Sequence, residues 1–297
     1  MIGTEHEARR PASSAGFADA VTFSWADLDA GLCGVARAGI VAGEPDQGSA
    51  LALLFSGRDL VAASAHGGIE VAEPDWTAIE IGTVRATVED PLASWTVRYA
   101  GEEAGFDLRF TATSAPIAFG AGDPAGKAGG QEGYEQLCRV QGTVTTVAGA
   151  REVDCLGQRG HAWGVTDWDG IELARTVSAW LDPDRAVTVS AVRPAGARSH
   201  ADEALSAFLL DEAVGGAEAV AVDEPRLSTT YDAEGRQRRA GLELWVGEED
   251  ELPRRLAGEV LCGSSLDLGR LRLDCAFFQW RMEGRTGIGR YDVLRRV

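Results

Sequence analysis

Positive charge is scarce in this sequence. Its 297 residues hold 28 Lys and Arg against 46 Asp and Glu, which gives a formal net charge of −18 at pH 7. A surface this negative repels phosphate backbones and anionic membrane faces, so we expect no nucleic-acid partner. The same charge keeps a protein that binds apolar molecules in solution.

The familiar signatures of catalytic and metal sites are also missing. There is no G-x-S-x-G, no H-E-x-x-H, no P-loop and no G-x-G-x-x-G that opens a helix. Four histidines are too few to favour a His-based metal site, and the five cysteines show no C-x-x-C spacing. We therefore expect no metal, no cofactor and no disulfide framework, with the thiols buried and reduced.

Long apolar runs are absent as well. No segment approaches the roughly 18 uninterrupted apolar residues of a membrane span. The first residues, MIGTEHEARRPASSAG, contain no apolar core typical of a signal peptide. The sequence thus predicts no integral membrane segment and a cytoplasmic location.

Short apolar stretches between glycines and charged turns are what the sequence does contain. Trp95, Val97 and Tyr99, for example, alternate with polar residues, which predicts a strand with one dry and one solvated face. About nine such strands are predicted before residue 157 and about eight after residue 170. This pattern predicts an all-β fold of antiparallel sandwiches or barrels, in two domains at 1–170 and 171–297.

Two segments depart from this pattern. Ala201–Glu212 is the best helix candidate, although its central Ser206–Leu210 also suits a strand. Gly120–Gly133 is rich in glycine and short polar residues, which predicts a mobile loop. A loop of this length is often a lid or an entry gate, and disorder is the alternative.

The segment Gly157–Trp168 concentrates His, Trp, Asp and Gly where a strand ends. On a strand, His161 and Trp163 point to the same face. If that face lines a barrel, an imidazole and an indole border a cavity. The alternative is a buried core histidine packed on a tryptophan beside a glycine-rich turn.

Gly157–Gly164 resembles the G-x-R-D-H-x-W-G type motif of the carotenoid 1,2-hydratase (hydroxyneurosporene synthase) and AttH-like superfamily, which includes lipocalin-like Diels–Alderases. Tyr134–Gly142, Phe277–Trp280 and Gly287–Tyr291 are also similar to bacterial members. The first 120 residues match only in strand pattern. The resemblance implies two lipocalin-like β-barrel domains in tandem. It also implies hydration, cyclisation or pericyclic ring closure of isoprenoids or polyenes, including cyclase activity on terpenoids.

The sequence differs from that motif at two positions. Gly160 stands where the hydratases carry Asp, and Ala162 occupies a position that is often Ser or Asn. The usual acid is therefore absent from its place, so either another carboxyl serves or the chemistry does not begin with an acid. The carboxyls considered as substitutes are Asp167, Asp169, Glu135 and Asp292.

The leading hypothesis is an enzyme whose hydrophobic substrate, an isoprenoid or polyene, is folded inside an apolar barrel. A non-catalytic carrier of a hydrophobic small molecule is the alternative, and a structural role for the His-Trp-Gly segment is a third. The predicted catalytic residues are His161, Asp167 and Asp169. The predicted substrate-binding residues are Tyr134, Trp163, Trp168 and Trp280.

Overall fold

A computed structural model describes residues 2–71, 76–216, 218–247 and 252–297, without the side chain of residue 200. The chain divides into two compact units, and each is described by itself. The first unit comprises Met1–Ala118 and Gln131–Thr166, and the second comprises Phe119–Gly130 and Asp167–Val297. The predicted boundary between residues 170 and 171 stays a prediction.

The first unit is built on an antiparallel sheet that curls into a near-barrel. A 3₁₀ helix, Thr4–Glu7, precedes the sheet. The strands are β1 Ala18–Asp27, β2 Leu32–Val41, β3 Gln47–Ser56, β4 Asp59–Glu70, β5 Ala78–Ile81, β6 Val84–Asp90, β7 Ser94–Ala100, β8 Gly105–Ala112, β9 Ile117–Phe119, β10 Gln131–Thr146 and β11 Gly149–Gly164. Their order is β4-β3-β2-β1-β11-β10-β8-β7-β6-β5, and β9 pairs with β10.

Period-two alternation decides which side chains enter this unit. In β1, Val21, Phe23 and Trp25 all belong to one buried apolar cluster, so every second residue of the strand faces inward. Burial of side chains this large stabilises the unit by about 1.5–3 kcal/mol each. The two edges of the sheet approach each other where the Ser64 and Thr83 hydroxyls lie 2.8 Å apart.

The second unit holds a separate antiparallel sheet that forms a half-barrel. Two short helices, α1 Pro124–Gly129 and α2 Glu212–Gly215, and a 3₁₀ turn, His200–Asp202, accompany it. The strands are β12 Ile171–Asp182, β13 Arg185–Pro194, β14 Ala204–Asp211, β15 Val220–Ala221, β16 Arg226–Tyr231, β17 Gln237–Leu244, β18 Arg254–Asp267, β19 Leu271–Met282 and β20 Arg285–Arg296. Their order is β15-β14-β13-β12-β20-β19-β18-β17-β16.

The interior of the second unit is mostly apolar, and a buried polar group lies around Arg175. Arg175 donates to the carboxylate of Glu203, and its Nη1 also donates to the Thr229 hydroxyl at 3.0 Å. The Tyr291 hydroxyl lies 2.5 Å from that of Thr229. Burial alone lowers the pKa of Arg175, but Tyr291 and Glu203 outweigh this effect and raise it. Every nitrogen of this guanidinium has a hydrogen-bond partner within the unit.

The predicted all-β fold is confirmed. In two segments the structure departs from the candidate helix and the predicted loop. The ambiguous Ala201–Glu212 segment is mainly a strand, β14, because it pairs along its length with β13. The predicted Gly120–Gly133 loop instead contains α1 and the start of β10. Among the described residues, no helix is both long and apolar enough to cross a membrane.

Candidate active site in the first unit

Strand register brings the predicted residues His161, Tyr134 and Trp163 together. In the central β10, β11 and β1 strands, Tyr134 and Val21 both lie opposite His161. Since directly paired residues share a face of a sheet, His161 faces the interior with Val21. Asp19 lies opposite Trp163 in the same register.

His161 forms a buried dyad with Asp19. The imidazole Nε2 lies 2.6 Å from Asp19 Oδ1, and the two side chains are 0% and 2% exposed. The other carboxylate oxygen, Oδ2, accepts from the indole of Trp76 at 2.6 Å and from the backbone amide of Arg10 at 2.8 Å. Asp19 therefore acts as an acceptor on both oxygens, which assigns the Nε2–H tautomer to His161.

A second buried pair lies two residues before His161 on the same face. Arg159 Nη2 donates to Glu7 Oε2 at 2.5 Å, with side chains 1% and 6% exposed. Glu7 also accepts from the backbone amide of Leu92 at 3.0 Å and the indole of Trp95 at 3.4 Å. The 3₁₀ helix thus delivers a carboxylate from the start of the chain into the interior of this unit.

Aromatic rings surround both pairs. The ring centroids of Trp163, Trp76 and Tyr134 lie 5.2, 5.8 and 5.8 Å from that of His161, each edge-to-face. The Arg159 guanidinium carbon lies 4.7 Å from the ring centroids of both Trp95 and Tyr134. The π systems of Trp95 and Tyr134 favour the positive charge of the guanidinium that lies over them.

Several polar atoms in this group have no hydrogen-bond partner among the described residues. They are His161 Nδ1, the Tyr134 hydroxyl, Arg159 Nε and Nη1, and Gln136 Oε1. Burial raises the pKa of Tyr134; Arg159 and Glu7 are close enough to influence it, but neither meets hydrogen-bond geometry with the hydroxyl. Buried polar atoms are normally satisfied, so such a concentration is typical of a site that receives a polar ligand atom or water.

The position of the missing motif acid, Gly160, is on the other face of β11. A Cβ built there would lie 3.7 Å from Glu135 Cγ, and Gly160 pairs with Glu135 and Thr22. Because successive residues of a strand point to opposite faces, an acid at position 160 would point away from His161. Glycine at this position therefore removes no carboxylate from the interior group.

The other predicted site residues lie elsewhere. Asp167 and Asp169 are exposed in the second unit, where Asp169 pairs with Arg270 and Arg296 at 3.4 and 3.6 Å. Trp168 is half-buried beside an apolar cluster of the second unit.

Trp280 stacks on Phe278 in the core of the second unit, with ring centroids 5.4 Å apart. Asp292 binds Arg290. The roles predicted for these residues stay predictions.

The sequence interpretation did not single out Asp19, Glu7 or Arg159 as site residues. Asp19 could have been predicted to face the interior, because it lies two residues before Val21 and four before Phe23 on the inward-facing side of the same strand. Glu7 could not have been predicted, since no sequence pattern near the start of the chain connects it to Arg159. Within the described ranges, no three His, Cys, Asp or Glu side chains form a group that could hold a metal ion.

Solved structures of two other proteins share this fold. A provisionally assigned AttH protein of Nitrosomonas europaea is 14% identical, with a TM-score of 0.69 over 94% of this chain and 92% of the other. CghA in complex with Sch210972 is 10% identical, with a TM-score of 0.65 over 95% and 89% of the two chains. CghA alone gives 0.65 at 9% identity, over 95% and 88%.

These similarities confirm, at the level of fold, the predicted resemblance to the AttH-like superfamily and its tandem lipocalin-like domains. No curated protein matches the sequence significantly. One family model covers residues 3–297, nearly the whole chain. The protein therefore belongs to the family described as "Domain of unknown function (DUF7064)".

Proposed function

We propose that the first unit contains the active site of an enzyme for an apolar isoprenoid or polyene, with His161 as its acid–base residue. The observation that carries this proposal is the 2.6 Å contact between His161 Nε2 and Asp19 Oδ1 in a buried dyad, in which Nδ1 has no hydrogen-bond partner among the residues that the structure describes. A histidine held by a carboxylate at one nitrogen and open at the other is the arrangement of a general base.

The two ring nitrogens then have different roles. Asp19 accepts a hydrogen bond from Nε2–H and so fixes the ring, and it stabilises the imidazolium that forms when Nδ1 takes a proton. Trp76 and the Arg10 amide hold the carboxylate in place through Oδ2. Nδ1 is the atom that would exchange a proton with the substrate.

The aromatic surroundings suit a substrate that becomes cationic. The rings of Trp163, Trp76 and Tyr134 stabilise positive charge on a carbon chain, and the apolar interior holds the chain in a reactive shape. In hydration and in cyclisation, the imidazolium form of His161 would give its Nδ1 proton to an alkene carbon, and the neutral ring would then take a proton back from the attacking water or from the carbocation. The dyad therefore supports these two reactions more directly than pericyclic ring closure, which needs only the folded conformation.

Residues 4–10 cover this group in the first unit. Glu7 contacts Arg159, Arg10 binds Asp19, and the ring centroid of His6 lies 6.0 Å from that of Trp163. The substrate would enter when this segment opens and would be shielded from water when it closes.

We propose a hydrophobic small molecule as partner and the cytoplasm as location. The CghA complex with Sch210972 supports a small-molecule ligand for this fold.

Turnover of an isoprenoid and polyene panel, followed by mass spectrometry, tests the proposal. We expect a product from the wild type, and a rate about 10²–10⁴ times lower for His161→Gln and Asp19→Asn. His66→Gln is the matched control, because His66 lies on the exposed β4 strand. Tryptophan fluorescence and circular dichroism check that each variant is folded.

Equal turnover by the wild type and by His161→Gln would contradict the assignment of His161. A second candidate function is carriage of an apolar ligand without chemistry. It is favoured by the Arg159 donors that have no partner in the described ranges, because they can bind a ligand without reacting. Saturable binding of a panel member that is recovered unchanged under all conditions would favour the carrier.

A further inference from the structure

We infer that the ligand of the first unit carries a neutral carbonyl group, whose oxygen is bound by Arg159 and Tyr134. This inference rests on the proposed function and extends it from an apolar chain to a chain with one specific polar group. The observation behind it is a concentration of buried donors on the inward face of β10 and β11 that have no partner in the part of the chain that the structure describes.

Arg159 supplies most of these donors. Its side chain is 1% exposed, and Nη2 donates to Glu7, whereas Nε and Nη1 have no partner in the described part of the chain. The rings of Trp95 and Tyr134 lie 4.7 Å from the guanidinium carbon. The guanidinium is thus fixed by ring contacts and one ion pair, with N–H groups left to bind an acceptor.

The Tyr134 hydroxyl adds a further donor beside this guanidinium. Tyr134 is 0% exposed, and its hydroxyl makes no hydrogen bond in the described residues. A purely hydrocarbon ligand would leave all these atoms buried and unsatisfied, which is unfavourable for each of them. A ligand oxygen with two lone pairs would accept from the Tyr134 hydroxyl and from one N–H of Arg159.

Charge balance argues that this oxygen is neutral. The positive charge of Arg159 is already matched by Glu7 at 2.5 Å, and Asp19 lies on the same interior face. A ligand carboxylate would add a further negative charge to a buried group, and an unmatched buried charge is strongly unfavourable. A carbonyl accepts hydrogen bonds without adding charge.

Three probes with one carbon skeleton test the inference: farnesal, farnesene and farnesoate, titrated against the full-length protein by tryptophan fluorescence. A hydrogen bond from a charged donor predicts that farnesal binds about 10–100 times more tightly than farnesene, and more tightly than farnesoate. Tyr134→Phe should reduce the preference several-fold. Tyr99→Phe is the control, since Tyr99 is buried in the same unit but contacts Phe106 instead.

The double variant Glu7→Leu/Arg159→Met removes the donors and the charge as a pair, and it should abolish the preference while farnesene still binds. Equal wild-type affinity for farnesal and farnesene would overturn the inference and leave the proposed function standing. Tighter binding of farnesoate would overturn it too, because it would mean that a ligand carboxylate replaces Glu7. If no probe binds, the inference and the isoprenoid-binding function both fail.

Discussion

Replacing Glu7 by glutamine leaves the Arg159 charge buried without a counter-charge. The guanidinium is 1% exposed and its only ionic partner in the described residues is the Glu7 carboxylate, at 2.5 Å. Removing one partner of a buried ion pair destabilises a protein by about 3–5 kcal/mol. We therefore expect Glu7→Gln to lower the free energy of unfolding of the first unit by that amount.

Urea denaturation provides the assay. For an unfolding slope of about 3 kcal/mol/M, the expected loss moves the midpoint of the first unit's transition down by about 1–2 M. Glu5→Gln is the matched control, because Glu5 lies in the same 3₁₀ helix with a side chain 71% exposed, and its loss should leave the midpoint unchanged.

The double variant Glu7→Leu/Arg159→Met removes both charges of the ion pair and replaces them by apolar side chains. Since apolar replacement of a buried ion pair is often neutral or stabilising, the double variant should recover most of the loss seen in Glu7→Gln. A midpoint for Glu7→Gln within about 0.3 M of the wild type would refute the reasoning. So would a double variant no more stable than the single one.

Two further predictions concern other buried groups. Burial raises the pKa of Tyr291 to about 12, so its contribution to stability is fully present below pH 10 and is lost between pH 10 and 12. Urea midpoints at pH 9 and pH 11 should differ by more in the wild type than in Tyr291→Phe, and equal differences would contradict this. Burial also raises the pKa of the Cys138 thiol to about 12. Ellman's reagent at pH 8 should therefore label Cys138 only after denaturation. Rapid labelling of Cys138 in the native protein would contradict the buried position of this thiol.

The all-β fold was predictable because alternation is a local property of the sequence. Trp95, Val97 and Tyr99 lie in β7, as their spacing predicts, and all three side chains are buried. Pairing order is not local. The partnership of β1 with β11 joins residues more than a hundred positions apart, and no short pattern encodes it.

The candidate site shows the same limit. His161, Trp163 and Tyr134 were predictable from a motif and its flanking strand. Asp19 is 142 positions from His161, and only strand register brings the two together. The expectation that Gly160 removes the acid from the site depended on sequence position alone, whereas alternation places position 160 on the opposite face.

Photo-crosslinking with a diazirine-bearing farnesal analogue, mapped by peptide mass spectrometry, tests the central claim that the ligand lies beside His161 inside the first unit. The account predicts crosslinks in peptides from β1, β10 and β11, near Asp19, Tyr134 and Trp163, that unlabelled farnesal suppresses. Crosslinks confined to peptides of the second unit, such as those containing Trp168 or Trp280, would contradict it.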